Sequence, residues 1–130
     1  FHSGLKGHSD GDVILHAIID SLLGAMRKSD IGTLFPSNSN KFKNIRSKNM
    51  LMPVLKLLKD NNFYINNIDI NLICENPKIS KIRAKVIKSI SNLLSINKSL
   101  INLKGKTVEK LGIIGKEQAI ACEVICSLSR

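Results

Sequence analysis

Tyr64-Ile65-Asn66-Asn67-Ile68-Asp69-Ile70-Asn71-Leu72-Ile73-Cys74 decides the fold. Ile68, Ile70 and Leu72 alternate with Asp69 and Asn71, a period of two that puts apolar and polar side chains on opposite faces of an extended chain. The segment is therefore a half-buried strand, and it ends at the turn formers Glu75-Asn76-Pro77-Lys78.

On both sides of this strand the period becomes helical. Upstream, Met50, Leu51, Val54, Leu55 and Leu58 share one face, and Pro53 puts the first turn of that helix near Asn49, because proline fits there and not mid-helix. Further upstream, Ser29 to Asn40 is a long ordered loop of turn formers with two buried-type anchors, Leu34 and Phe35. Before it, Val13, Ile14, Leu15, Ile18, Ile19, Leu22 and Leu23 recur with helical spacing. That helix is expected to start near Asp12, with Ser9 or Asp10 accepting hydrogen bonds from its first free N–H groups.

Downstream, Ile82, Val86, Ile87, Ile90 and Leu94 form the inward stripe of a third helix, with Lys81, Arg83, Lys85 and Lys88 on its wet side. Leu100 to Lys104 is a short strand, Gly105 to Gly112 a loop rich in hydrogen-bond donors, and Ile120 to Leu128 a β-branched strand expected to lie buried in the sheet. Helices on one side of a small sheet make an α+β fold. Residues 1–130 are read as a single domain without repeats.

The chain has 130 residues, 43% of them hydrophobic, which is enough for one core. Trp is absent and aromatics are only 4%, so the core is aliphatic and platforms for stacking bases are scarce. The formal net charge of +10 favours anionic partners. The lysines are spread through every segment, however, so a solvated surface explains them better than a nucleic-acid patch, and no nucleic-acid partner is expected. Cys74, Cys122 and Cys126 are odd in number, sit in apolar surroundings and read as reduced core residues. No apolar run is long enough to span a bilayer, so no membrane partner is expected. The chain opens at Phe1 without Met, which reads as a fragment or a processed form.

Chemistry concentrates at His8-Ser9-Asp10-Gly11-Asp12-Val13-Ile14-Leu15-His16. Asp12, His16 and Asp20 fall at i, i+4 and i+8, so they stack along one line at the edge of the apolar arc. This sets an imidazole between two carboxylates. By itself the pattern favours a hydrogen-bonded core histidine with solvated or capping aspartates over a metal ligand. An open Zn2+ site needs about three protein ligands, and no other His or Cys lies near His16 at the required spacing.

The ordered set of motifs resembles the 2-C-methyl-D-erythritol 2,4-cyclodiphosphate synthase family over essentially the whole chain. The motifs are His-Ser-Asp-Gly-Asp-x-x-x-His at 8 to 16, Asp-Ile-Gly-x-Leu-Phe-Pro at 30 to 36, Pro-Lys at 77 and 78, Glu-Lys-Leu-Gly at 109 to 112 and Ile-Ala-Cys-Glu at 120 to 123. The resemblance implies a four-stranded mixed sheet with three helices on one face. It also implies a homotrimer with active sites between subunits, working in a bacterial cytoplasm or a plastid or apicoplast stroma. The implied substrate is a cytidine diphosphate derivative, cyclised with release of CMP. A catalytically silent nucleotide- or phosphate-binding module is the alternative.

Residue by residue, the resemblance makes His16 a ligand of Zn2+ or a similar dication, together with an Asp and a His of an Asp-x-His motif on an N-terminal strand that is not in this sequence. His8 and Thr107 become the groups stabilising the transition state; on local sequence alone they are an exposed loop histidine and a capping hydroxyl. His8 and Ser9 contact phosphate and erythritol. Asp30, Ile31 and Gly32 hold the erythritol hydroxyls, although Asp30 reads equally well as a turn or cap residue. Phe35, Pro36, Ser37, Asn38 and Ser39 form the loop beside them.

Cys74, Glu75, Asn76, Pro77, Lys78, Ile79 and Ser80 form the cytosine pocket, with Lys78 placed for a phosphate. Lys106, Thr107, Val108 and Glu109 match the cytidine diphosphate loop, in which Glu109 binds a second metal, Mg2+ or Mn2+, where a lone Glu is otherwise merely solvated. Ile113 and Lys116 fall at further substrate contacts. Departures from the family pattern are Ser37 and Ser39 in place of aspartates, Lys106 and Val108 within a threonine run, and Lys116 in place of arginine. Lysine gives a point charge without the bidentate fork.

Overall fold

The computed structural model describes residues 8–36, 38, 46–76 and 78–130, residues 8–10 by backbone only. In chain order the elements are α1 (His8–Met26), α2 (Ile31–Leu34), α3 (Ser47–Asp60), β1 (Tyr64–Ile73), α4 (Ile79–Leu94), β2 (Ile101–Lys106), α5 (Gly112–Gly115) and β3 (Ala121–Ser129). The strands form one mixed sheet in the order β2-β1-β3. β1 runs parallel to β2, from Ile68 opposite Ile101 to Ile73 opposite Lys106. It runs antiparallel to β3, from Tyr64 opposite Ser129 to Ile73 opposite Ala121, with a register irregularity between Ile65 and Asn67. A parallel neighbour requires a long crossover, and α4 supplies it.

The alternation in β1 sorts its two faces as its sequence demands. Ile65, Ile68, Ile70 and Leu72 are buried, joined from β2 by Ile101 and Leu103. Against this face lies α1, whose Ile18, Ile19, Leu22 and Leu23 are wholly shielded from solvent. α1 packs on β3 and on α3, whereas α4 packs on β2. Each buried Leu or Ile contributes roughly 1.5–3 kcal/mol by leaving water, so this aliphatic seam dominates stability without any tryptophan. Gly105 permits a close approach: a Cβ there would overlap the Ile79 side chain, so its absence lets the start of α4 settle on β2.

Several expectations need correction. α1 begins at His8, not near Asp12, so Ser9 and Asp10 lie in its first turn and do not precede it as caps. α3 begins at Ser47, leaving Pro53 inside the helix and exposed; its missing N–H costs the bond to Asn49. β2 continues through Lys106, because the chain keeps pairing with β1 where a loop is expected.

Among the described residues β3 is an edge strand and not a buried one, since there it pairs only with β1, and its Ile125 is 75% exposed. The sheet has three strands among the described residues, not four. The fourth rested on the resemblance alone, and no described segment supplies it.

Candidate active site

Two parallel strands that end side by side bring their following loops together, the usual place for a ligand in sheets with parallel pairs. Here the Cys74 N–H donates to the Lys106 carbonyl at 3.0 Å, extending the ladder one step past β1. One residue on, the Glu75 carboxylate accepts from the backbone N–H groups of Val108 (3.0 Å) and Lys110 (2.9 Å) through the same oxygen, Oε1. The 74–80 and 106–110 segments, 33 residues apart at Glu75 and Val108, are thus tied directly to each other. Thr107 and Glu109 are exposed on the tied loop, with Val108 half-buried between them. Lys78, Ser80, Asn76, Lys106 and Lys116 are also exposed. Lysines around a rim suit a phosphate-bearing ligand.

Ile79 and Cys74 lie in the core, so neither side chain faces this rim. Ile113 is 64% exposed on α5. Pro77 lies outside the described residues.

A second group forms where α1 meets α2. The Asp20 carboxylate accepts from the Ile31 N–H at 2.9 Å, so it fastens the turn after α1. Asp30 caps α2 by accepting from the Thr33 N–H at 2.8 Å. That bond, and a second from the Thr33 hydroxyl, hold the Asp30 carboxyl below its ordinary value. Asp30 is therefore a helix cap, the role its local sequence allows. Gly32 is exposed, Ile31 half-buried, and Phe35 belongs to the core with only 8% exposure. Pro36 is half-buried and Asn38 exposed, while Ser37 and Ser39 lie outside the described residues.

His16 is exposed on α1 together with Asp12 and Asp20, one turn away on either side. The side chain is open to solvent, so His16 is not the core histidine that its local sequence favours. Asp20, already engaged with Ile31, is a loop anchor. Among the described residues no group of three or more His, Cys, Asp or Glu side chains could hold a metal ion. His16 fits as one donor of a larger set. Glu109, an exposed hard oxygen donor, fits Mg2+ in the same partial sense. Of His8 and Ser9 the structure describes the backbone, in the first turn of α1.

Sequence reasoning missed what Glu75 and Asp20 do. Both partners are backbone N–H groups of other segments, which leave no mark in residue type. An apolar hollow of about 330 Å³ lies elsewhere, between Leu34 and Phe35 and the Pro53, Val54 and Leu57 face of α3. Its two charged wall residues, Lys56 and Asp60, are paired with each other at 2.7 Å. No helix among the described residues is long and apolar enough to cross a membrane.

This arrangement defines a small α+β domain with a lysine-bearing rim at the ends of parallel strands. The chain belongs to the YgbB family, whose profile matches residues 1–129. It is 45% identical over its whole length to 2-C-methyl-D-erythritol 2,4-cyclodiphosphate synthase of Francisella tularensis subsp. novicida, covering 82% of that protein. It is 50% identical, over 96% of its length, to the bifunctional enzyme IspD/IspF of Pelagibacter ubique, of which it spans only 34%. Among solved structures, the IspF CDP complex of Plasmodium falciparum superposes with a TM-score of 0.80 at 48% identity, covering 94% of this chain and 72% of that one.

Proposed function

We propose that the chain cyclises 4-diphosphocytidyl-2-C-methyl-D-erythritol 2-phosphate to 2-C-methyl-D-erythritol 2,4-cyclodiphosphate in the non-mevalonate route to isoprenoid precursors. An oxygen of the 2-phosphate attacks the β-phosphorus of the diphosphate, a ring closes, and the bond to the α-phosphate breaks to release CMP. No protein nucleophile is needed. The observation that carries the reading is the joining of the 74–80 and 106–110 segments by Glu75 at adjacent strand ends, in a chain that shares the family's ordered motifs.

The chemical problem is to hold two mutually repelling phosphates in line, so positioning and positive charge do most of the work. The cytosine lies against Cys74 to Ser80, read largely by backbone groups, and Lys78, Lys106 and Lys116 offset phosphate charge. Thr107 and His8 donate hydrogen bonds where charge develops on the transferring phosphorus. His8 and Ser9 meet the 2-phosphate and erythritol, Asp30 to Gly32 and the Phe35 to Ser39 loop enclose the sugar chain, and Ile113 adds an apolar contact.

His16 is one ligand of a Zn2+-type ion and Glu109 the protein ligand of Mg2+ or Mn2+; bound, these dications supply the charge that draws the phosphates together. The exposure of both side chains supports these roles.

The working form is a homotrimer with sites between subunits. Ile125, which stands out on the sheet face opposite α1, supports it. The compartment is a bacterial cytoplasm or a plastid stroma.

The test is to incubate the full-length protein with divalent cation and the cytidylyl substrate and to follow CMP by chromatography. Stoichiometric CMP is expected. Nucleotide binding without CMP release would instead make the chain a silent binding module.

A further inference from the structure

We propose that Glu75 is a positioning residue: its carboxylate clamps the backbone of the Lys106–Lys110 loop and so sets where Thr107 and Glu109 meet the diphosphate. The inference rests on the substrate reading above and adds a residue that acts through the loop, not on the ligand.

The loop is held in a shape it would not choose. Glu109 and Lys110 are consecutive non-glycine residues in the left-handed region, with φ of 53° and 65°. Such residues pay a steric penalty unless surrounding contacts impose the conformation. Glu75 supplies those contacts on one side, one oxygen collecting the N–H groups of Val108 and Lys110 at 3.0 and 2.9 Å. On the other side Gly115 approaches so closely that a Cβ there would overlap the Lys110 backbone. The loop is therefore gripped between a side chain from the end of β1 and the backbone of α5.

The grip also decides orientation. With alternate N–H groups turned inward to Glu75, the Thr107 and Glu109 side chains stay exposed and available to a ligand. Glu75 is meanwhile committed to the protein and does not read the cytosine with its side chain. Hydrogen bonds to a charged acceptor are among the stronger ones in proteins, and losing two of them frees the strained pair to relax.

The test compares Glu75→Ala with Glu75→Gln in the full-length, metal-loaded protein. Glutamine keeps an oxygen acceptor without the charge. Glu75→Ala should raise KM for the cytidylyl substrate and lower kcat, reducing kcat/KM by roughly tenfold or more, the scale of a lost charged hydrogen bond. Glu75→Gln should rescue kcat/KM to within about threefold of wild type. Wild-type constants in Glu75→Ala would overturn the proposal, as would a Glu75→Gln as impaired as the alanine variant, because the charge would then act on the substrate directly.

Hydrogen exchange of the Val108 and Lys110 amides gives a readout independent of catalysis. Protection in wild type and in Glu75→Gln is expected, and exchange at open-loop rates in wild type would refute the clamp even if Glu75→Ala failed to fold. Inactive wild type with protected amides would sink the substrate reading and leave the clamp standing.

Discussion

His16 projects into solvent from a helix whose opposite side is sealed in the core, so its removal deletes a donor without opening a cavity. His16→Ala should abolish bound zinc, as measured by elemental analysis, while changing unfolding free energy by no more than about 0.5 kcal/mol, as surface substitutions usually do. Unchanged metal content would remove His16 from the ligand set.

Asp69 gives a prediction of a different kind. The Lys104 ammonium at 2.9 Å, followed by the Asn102 amide at 3.0 Å, holds its carboxyl below the ordinary 3.8. A carboxyl lowered in the folded state stabilises the protein above its unfolded value, and that contribution is lost as pH falls through the folded value. Asp69→Asn should therefore melt slightly lower than wild type at neutral pH and lose that difference in acid, the small size reflecting a solvent-exposed pair. A difference that grows as pH falls would contradict the assignment.

At the scale of elements, the contact between α4 and β2 turns on one missing methyl group. Gly105→Ala would drive a Cβ into Ile79 and should cost about 1–3 kcal/mol, the usual range for overpacking, measurable by urea denaturation. No loss of stability would mean that α4 does not approach β2 as described.

The elements themselves were largely legible in the chain. Alternation from Ile68 to Leu72 gave β1 its faces, and helical spacing located α1, α3 and the inward stripe of α4, because burial on one side writes a period into the sequence. Boundaries were less legible. Whether Ser9 and Asp10 cap a helix or lie within it depends on first-turn electrostatics, which residue type leaves open, and β2 outran its apolar pattern because pairing continued through Gly105 and Lys106. Parallel pairing of β1 with β2 was also hidden, and with it the bonds from Glu75.

For the whole molecule, the proposed assembly is tested at the sheet face opposite α1. Ile125 lies there at 75% exposure beside the half-buried Asp69 and Asn71, and the buried Asn71 side-chain oxygen has no hydrogen-bond partner among the described residues. If this face joins subunits, Ile125→Asp should shift the sedimentation of the full-length protein from a trimer to smaller species, whereas a wild type that sediments as a monomer would exclude the trimer. The candidate site was legible in the sequence only as an ordered set of motifs. Its geometry came from strand ends and backbone hydrogen bonds that no local pattern records.

The most direct measurement is phosphorus NMR of the cytidylyl substrate incubated with the full-length protein and divalent cation. The account predicts that the three phosphorus signals of the substrate give way to two coupled signals of a cyclic diphosphate and one of CMP. CMP appearing beside an open-chain bisphosphate, or a substrate spectrum that does not change, would contradict it.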